Sequence, residues 1–328
     1  MSLQHFLTSQ FSFLFLVLNV PRIFSSTNCT CVPYYQCSED MEKVLIDGNE
    51  LLDVRGFKSH CKGYFDVCCV LPKTQNTTIV PNFKKGCGYK KRDDYPWLAT
   101  LYFQEDIATK PIPRCGVSFI HKQVVLTAAH CFNVNHGLWT IQIDDTTINT
   151  KTIKKHPKFN PLTLHNDISV IILEEPFDAI TPEQIICIPP PGFVPKPGRC
   201  LVGSFDKTNS IEEDIKIVEL IDLPIVDNKK CLKSLRQTRL GEFFQLHHSF
   251  ICAGGEDHKD TCHGDGGSPL VCPISDQPGR YHQIGIVSWG IGCGELNTPG
   301  VYVNVAIFRE FIDKVMIDNG FDMNSYKY

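Results

Sequence analysis

The sequence lacks the cysteine and histidine patterns that hold zinc in small metal-binding domains. Neither a paired C-x-x-C arrangement nor an H-E-x-x-H stretch is present, although the chain contains 16 cysteines and 12 histidines. An even, high number of widely spaced cysteines instead favours disulfides, which persist in oxidising compartments. We therefore expect no metal site, no cofactor and a secreted, extracellular protein.

Long apolar runs and blocks of like charge are also missing. No segment approaches the roughly 18 apolar residues that cross a bilayer, and the net charge is only −4. These absences argue against a membrane anchor and against nucleic-acid binding. The mostly apolar residues 11–20 are too short to span a membrane and are followed by small residues, although no Lys or Arg precedes them. They predict a signal peptide over residues 1–26.

The cysteines near the start of the chain predict a small domain over residues 28–70. A segment this short buries too little apolar surface to fold alone, so disulfides are expected to hold it together, in a pairing that the sequence alone does not fix. Residues 71–95 are polar, contain prolines and predict a linker. Sequons at Asn28 and Asn76 are expected glycosylation sites, Asn76 being the more accessible. The clustered cysteines are Cys29, Cys31, Cys37, Cys61, Cys68 and Cys69.

From Pro96 onward, short alternating or apolar stretches are separated by turn residues, which is typical of an all-β fold. Near the end, apolar residues from Ile307 to Met316 recur with the period of a helix, for which Asn304 is a candidate N-cap. We expect a domain of many strands and one C-terminal helix over residues 96–320, and a polar tail over residues 321–328. The expected strands include residues 97–103, 117–120, 124–128, 168–173 and 284–289.

Four motifs in the second domain resemble those of chymotrypsin-like serine proteases, in the same order and spacing. They are VVLTAAHC (124–131), NDISVIIL (166–173), CHGDGGSPL (262–270) and IVSWGIGCG (286–294). The resemblance implies a trypsin-like double β-barrel with a C-terminal helix. It also implies the disulfides Cys115–Cys131, Cys200–Cys272, Cys231–Cys252 and Cys262–Cys293, with Cys87–Cys187 joining the linker to the barrel.

The first domain resembles the clip domain of arthropod proteases. The cysteine spacing and the stretches CVPYYQC and YFDVCC are similar to those of the subgroup found in prophenoloxidase-activating cofactors. The resemblance implies the pairs Cys29–Cys68, Cys31–Cys61 and Cys37–Cys69.

The resemblance places His130 at the general base and Asp167 at the carboxylate that orients it, but Gly266 at the nucleophile. The motif that usually reads G-D-S-G-G-P is here G-D-G-G-S-P, residues 264–269. Because glycine has no hydroxyl, covalent catalysis is missing. Ser268 lies two residues on, roughly 6–7 Å along an extended chain, whereas proton transfer needs about 3 Å. We expect the Ser268 hydroxyl to hydrogen-bond to nearby backbone. His130 and Asp167 are expected to be either a structural pair or residues that contact a ligand.

The activation switch of this family is missing as well. Related proteases become active when cleavage after a basic residue frees an Ile or Val amino terminus, which pairs with the carboxylate at the position of Asp265. Here only GYKKRDDY separates Cys87 from Pro96, so no such terminus can form and Asp265 is expected to lack its usual partner. The basic run is either a solvated linker or a cleavage site for another protease. Candidate processing sites are Lys90–Arg92, Arg55 and Lys58.

The specificity pocket is retained. Asp260 matches the residue that binds Lys or Arg in trypsin-like enzymes, Gly290 and Gly300 match the pocket walls, and Ser288 lies on the strand that pairs with substrate backbone. The pocket either binds a basic side chain through charge-assisted hydrogen bonds or is a solvated relic. Nearby, Gly203-Ser204-Phe205 replaces the usual G-W-G, so the adjoining loop is expected to be reshaped.

These features predict a secreted, catalytically inactive serine protease homologue that acts by binding proteins. The resemblance implies a cofactor or decoy in prophenoloxidase activation, melanisation and innate immunity. Its partners would be prophenoloxidase, clip-domain proteases or related haemolymph proteins, although developmental and matrix-attachment roles are also known among clip-type homologues. The alternative is an active trypsin-like endopeptidase that cleaves after Lys or Arg, which would require Ser268 as nucleophile.

Overall fold

A computed structural model describes residues 29–33, 66–70, 86–89 and 95–328, except for 107, 135, 144–145, 179, 206–216 and 262–264. The predicted signal peptide, both sequons and the candidate processing sites lie outside these residues. So do Cys37, Cys61 and Cys262, and the clip pairings and the Cys262–Cys293 bond remain predictions. Cys293 itself is disulfide-bonded. The chain divides into two compact units, Met1–Asn82 and Phe83–Tyr328.

The described part of the first unit is a two-stranded antiparallel sheet. Strand β1 (Cys29–Pro33) pairs with β2 (Asp66–Val70), and Cys31 lies opposite Cys68. The pairing brings together the two ends of the cysteine-rich segment, as a short domain held by disulfides requires.

The second unit consists of two closed six-stranded barrels, which confirms the predicted double β-barrel. The strand order is β3-β4-β5-β8-β7-β6 in the first barrel and β10-β11-β14-β13-β12-β9 in the second. The first barrel contains β3 (Leu98–Gln104), β4 (Ile112–His121), β5 (Val124–Thr127), β6 (Leu138–Ile143), β7 (Thr146–Lys155) and β8 (Ser169–Leu173). The second contains β9 (Arg199–Phe205), β10 (Ile217–Val226), β11 (Phe250–Gly254), β12 (Pro269–Pro273), β13 (Tyr281–Trp289) and β14 (Pro299–Asn304).

Strands β5 and β8 position the ends of two of the motifs. Both strands are buried at every position and pair antiparallel with each other. Burial on both faces explains why their sequences are continuous apolar runs rather than alternating ones. Because the strands are antiparallel, the end of β5 and the start of β8 lie side by side, with Thr127 opposite Ser169. His130 follows the first and Asp167 precedes the second, so the register brings these residues together.

The described part of the second unit also contains two α-helices. Helix α1 (Asn228–Arg236) is capped by Asp227, whose side chain accepts hydrogen bonds from the main-chain N–H groups of Lys229 and Lys230. Helix α2 (Arg309–Asp318) follows a 3-10 turn, Val305–Phe308. The expected N-cap, Asn304, stands at the start of that turn but makes no capping hydrogen bond. The expectation of a capping side chain was therefore wrong, although the helix itself is present.

The segment 321–328, expected to be a polar tail, is part of the packed domain. It contains a 3-10 turn, Met323–Ser325, and Tyr326 is fully buried. Ser325 Oγ donates to the carbonyl of Ile120 at 2.8 Å, and Tyr326 Oη donates to Asp313 Oδ1 at 2.7 Å. The guanidinium of Arg309 lies 5.0 Å from the Tyr326 ring centroid. The segment is mostly polar, so its composition did not predict that the buried ring of Tyr326 packs it against the domain.

Four of the disulfides implied by the resemblance are present: Cys87–Cys187, Cys115–Cys131, Cys200–Cys272 and Cys231–Cys252. The first of them extends the packed domain upstream of residue 96, into the segment expected to be a linker. Gly88 there donates its N–H to the carbonyl of Ile185 at 2.6 Å and has φ +81°. A Cβ at this position would lie 2.2 Å from the carbonyl oxygen of Tyr281, so only glycine fits.

The buried His282 is expected to make folding stability fall in mild acid. It is 3% exposed, and burial lowers its pKa to about 4, whereas the unfolded chain takes up a proton at about pH 6.5. Its contribution is therefore fully present above pH 6.5 and is lost as pH falls toward 4, with about 2 kcal/mol lost by pH 5. Chemical denaturation at pH 7 and pH 5 measures this loss, and His282→Phe should reduce it. Equal losses in both proteins would contradict the assignment.

Candidate active site

The His130 and Asp167 side chains form the hydrogen-bonded pair that the sequence predicts. His130 Nδ1 lies 2.7 Å from Asp167 Oδ2, and the His130 main-chain N–H donates to Asp167 Oδ1 at 2.8 Å. Ser288 Oγ donates to Oδ2 at 2.6 Å, so the fully buried carboxylate is satisfied on both oxygens. Because a carboxylate accepts, Nδ1 of a neutral His130 carries the proton and Nε2 is left as the acceptor.

Gly266 faces that free nitrogen. A Cβ built at position 266 would lie 2.7 Å from His130 Nε2 and 3.2 Å from Cε1, closer than real Cβ atoms approach such groups. The imidazole thus occupies space that a side chain at 266 would need. The carbonyl of Gly266 accepts a hydrogen bond from the N–H of Gly116 at 2.9 Å, which fixes its backbone against the first barrel.

Ser268, the one serine in the altered motif, is not placed where it could act as a nucleophile. It is fully buried, its N–H donates to the carbonyl of Asp265 at 3.0 Å, and its carbonyl accepts from Val287 at 2.9 Å. Its Oγ has no hydrogen-bond partner among the described residues, so the expected hydroxyl–backbone bond is absent. A buried hydroxyl in this position cannot attack a substrate bound in the cleft.

Asp265 was expected to lack its usual partner. The residue is 2% exposed and takes part in an interaction with its surroundings, so it is not without a partner in the structure. Gly264 lies outside the described residues, as do Lys90–Arg92 and Asp93. The missing activation terminus therefore remains a prediction from the sequence.

A cavity of about 200 Å³ opens beside the His130–Asp167 pair and brings together six of the predicted site residues. It lies where β13 ends and β14 begins in the second barrel. Its lining also includes Thr261, Val287, Trp289, Gly292 and Cys293, which the sequence did not assign to the walls of the pocket. The predicted residues in the lining are His130, Asp260, Gly266, Ser288, Gly290 and Gly300.

Asp260 gives this cavity an unpaired acceptor. Its Oδ2 accepts a hydrogen bond from the N–H of Gly294 at 3.2 Å, but its Oδ1 is buried with no hydrogen-bond partner among the described residues. Burial raises the pKa of the carboxyl, and the backbone hydrogen bonds from Gly294 and Thr261 partly oppose this. A buried carboxylate oxygen without a partner is costly. A cationic group entering the cavity would supply the missing donor.

The two glycines of the wall differ in how much room they leave. A Cβ at Gly300 would lie 3.1 Å from Asp260 Oδ1 and 3.3 Å from the Tyr302 ring, so a side chain there would press on the carboxylate. A Cβ at Gly290 would meet nothing closer than 3.8 Å, the carbonyl oxygen of Gly292. The cavity wall at Gly290 therefore leaves room for an incoming side chain.

The only cluster of possible metal ligands among the described residues does not form a metal site. The ligand atoms of Cys115, His130 and Cys131 lie within 4.8 Å of one another. The two cysteines are bonded to each other, however, so neither offers a thiolate.

Comparison with protein-family models gives two matches that together cover both units. Residues 87–312 match the family described as Trypsin, and residues 24–70 match the family described as Serine protease Clip domain PPAF-2. Over the described residues, no helix has the length and apolar character needed to cross a membrane.

Three insect proteins are among the similar relatives. Phenoloxidase-activating factor 2 of Galleria mellonella is 39% identical over 74% of this chain and 86% of its own length. Inactive CLIP domain-containing serine protease A8 of Anopheles gambiae is 31% identical over 86% of this chain and 87% of its own. Inactive CLIP domain-containing serine protease A28 of the same species is 33% identical over 81% of each chain.

Proposed function

Because the chain belongs to the trypsin family and carries a clip domain, we propose that it is a non-catalytic member that binds a basic side chain of a protein partner and holds it uncleaved. The observation that supports this most directly is the combination in one cleft of Asp260 Oδ1, which is unpaired, and Gly266, which faces His130 Nε2. The first offers a binding group for Lys or Arg. The second leaves no hydroxyl at the position from which a nucleophile would attack.

The relatives support a regulatory role. Two of them are named as inactive clip-domain serine proteases and one as a phenoloxidase-activating factor. We place this chain in an extracellular protease cascade, as a secreted cofactor or decoy for prophenoloxidase, a clip-domain protease or a related haemolymph protein. In this role it would contribute to melanisation and innate immunity. The sites Asp260, Ser288, Gly290 and Gly300 would form the partner-binding pocket, with His130 and Asp167 as its retained rim.

A reconstituted prophenoloxidase activation assay tests this role. We expect the purified protein to change the amount of active phenoloxidase formed at a fixed concentration of the activating protease. An increase identifies a cofactor and a decrease identifies a decoy, because a decoy withdraws the protease or its substrate. An unchanged yield, at protein concentrations well above those of the other components, would contradict the proposed cascade.

The competing function, a trypsin-like endopeptidase using Ser268, makes a different prediction. It requires stoichiometric labelling of Ser268 by a serine-directed phosphonate and turnover of an arginyl ester. The complete burial of Ser268 argues against both. Mass spectrometry of the protein after phosphonate treatment distinguishes the two functions, and we expect unlabelled protein.

A further inference from the structure

Helix α1 carries a concentration of positive charge that the chain as a whole does not have. Residues 228–239, NKKCLKSLRQTR, contain no Asp or Glu, while the full chain has a net charge of −4. Four of its five cations, Lys229, Lys230, Lys233 and Arg239, are exposed. A lysine-rich segment of this kind in an extracellular protein is typical of heparin-type patches.

The cations of the helix lie on one face. At 3.6 residues per turn, Lys229, Lys233 and Arg236 fall almost in line, and Lys230 lies beside them, within an arc of about 120°. The opposite side contains Cys231 and Leu235, which are buried. The helix packs on β11 and β14, and the Cys231–Cys252 disulfide fixes it there. The basic face, defined as Lys229, Lys230, Lys233 and Arg236, therefore has a fixed orientation toward solvent.

Within the described part of the chain, the basic face has no acidic partner. None of its four residues takes part in an ion pair, and Arg236 Nε donates only to the carbonyl of Phe244 at 2.8 Å. Helix α2 shows the opposite arrangement, because Arg309 pairs with Asp313 at 2.7 Å and Lys314 with Asp318 at 2.9 Å, each four residues apart. The chain thus neutralises the cations of one helix and leaves those of the other free.

Two of these cations are placed where the helix itself disfavours them. Lys229 and Lys230 lie in the first turn, where the helix dipole is positive and acidic residues are stabilising. The first turn contains no acid, and only the capping side chain of Asp227 opposes the two lysines. Folding stability does not explain this arrangement, which points to a requirement outside the fold.

We propose that the basic face of α1 binds a sulfated polysaccharide chain. The face is the outer surface of a helix, and none of its four residues lines the cleft cavity. Its charges repeat along the helix at about 6 Å and 4.5 Å, a linear array suited to a linear polyanion. Three of its four cations are lysines, which act as mobile point charges for sulfate groups. A surface that recognises carboxylates of a protein would instead favour arginine, whose planar guanidinium donates two parallel hydrogen bonds to a carboxylate.

Heparin is the probe that tests this surface. The variant Lys229→Gln, Lys230→Gln, Lys233→Gln should elute from immobilised heparin at lower salt than the unmodified protein. The slope of log affinity against log salt should fall by roughly two to three, because each cation that contacts the polyanion releases about one counterion. The matched control is Lys110→Gln, Lys151→Gln, Lys154→Gln. It removes the same amount of charge from exposed lysines of the first barrel. We expect the control to elute with the unmodified protein.

Three results would overturn the proposal: no retention of the unmodified protein on heparin, an equal loss of affinity in the control variant, or binding to a polyglutamate peptide in place of heparin. A thermal melt accompanies each variant. We expect the α1 variant to melt no lower than the unmodified protein, because two of its substitutions relieve an unfavourable interaction with the helix dipole. Binding of p-aminobenzamidine in the cleft should be the same in both, so the heparin result is independent of the cleft function.

Discussion

Replacing Gly266 with serine is expected to leave the protein without measurable esterase activity. The new Cβ would lie 2.7 Å from His130 Nε2, so the imidazole must move out of the position set by the hydrogen bond from its Nδ1 to Asp167. A serine that displaces its own base does not gain a partner for proton transfer. The sequence also predicts that the segment between Cys87 and Pro96 cannot supply the activating amino terminus. Hydrolysis of an arginyl ester should remain near background, about a million-fold below a working triad.

Gly266→Ala is the matched control for this experiment. It brings the same Cβ against His130 without a hydroxyl, so the two variants should share the same fold, the same small change in stability and the same absence of turnover. Phosphonate labelling should be absent from both. Robust turnover in the serine variant alone would show that the imidazole adjusts easily and that no activating terminus is needed.

Replacing Asp260 with asparagine should abolish most of the affinity of the cleft for cationic ligands. The substitution keeps the shape of the side chain and removes the charge of the unpaired Oδ1. Loss of one partner from a buried, charge-assisted pair costs about 3 kcal/mol, or roughly two orders of magnitude in Kd. Fluorescence titration with p-aminobenzamidine measures this change. Asp257→Asn, an exposed acid three residues earlier, is the control and should bind normally.

The same titration should depend on pH in a defined direction. The cation binds the ionised carboxylate, and burial raises the pKa of Asp260 above its usual value of 3.8. Affinity should therefore be constant at neutral pH and fall as acid protonates Asp260, before an ordinary aspartate would titrate. In Asp260→Asn this dependence should vanish. Equal affinities of Asp260→Asn and the unmodified protein would mean that the cavity is a relic rather than a binding site.

The sequence predicts the fold well where its motifs are long. The buried runs that became β5 and β8 are recognisable because both faces of each strand are apolar, and their flanking residues fix the positions of His130 and Asp167. The pocket follows less directly, since Gly290 comes just after β13 and Gly300 lies in β14, whereas Asp260 lies in the loop between β11 and β12.

Other features depend on side-chain placement that spacing does not reveal. The imidazole of His130 occupies the space beside Gly266 because glycine has no Cβ there. No sequence pattern predicts this placement. Ser288 was assigned to the substrate-binding strand, whereas its hydroxyl also satisfies the buried Asp167. The packing of the segment around Tyr326 was not predicted, because burial of one aromatic ring holds it in place even though most of its neighbours are polar. In these cases long-range packing decides the local outcome.

The basic face of α1 is a different kind of omission. A net charge of −4 over 328 residues hid the local excess of cations, and the expectation that no block of like charge exists was too coarse. Reading residues 228–239 at the helical period would have placed Lys229, Lys233 and Arg236 on one side and the apolar residues on the other. Here the signal was present in the sequence, and averaging over the chain removed it.

We propose above all that this cleft binds a basic side chain and does not cut beside it. Titration of a synthetic arginine-containing peptide into the protein, followed by mass spectrometry of the recovered peptide, tests both halves at once. We expect saturable binding that Asp260→Asn abolishes, with the peptide recovered intact after prolonged incubation. A peptide cleaved after its arginine, or a peptide that binds the unmodified protein no better than Asp260→Asn, would contradict it.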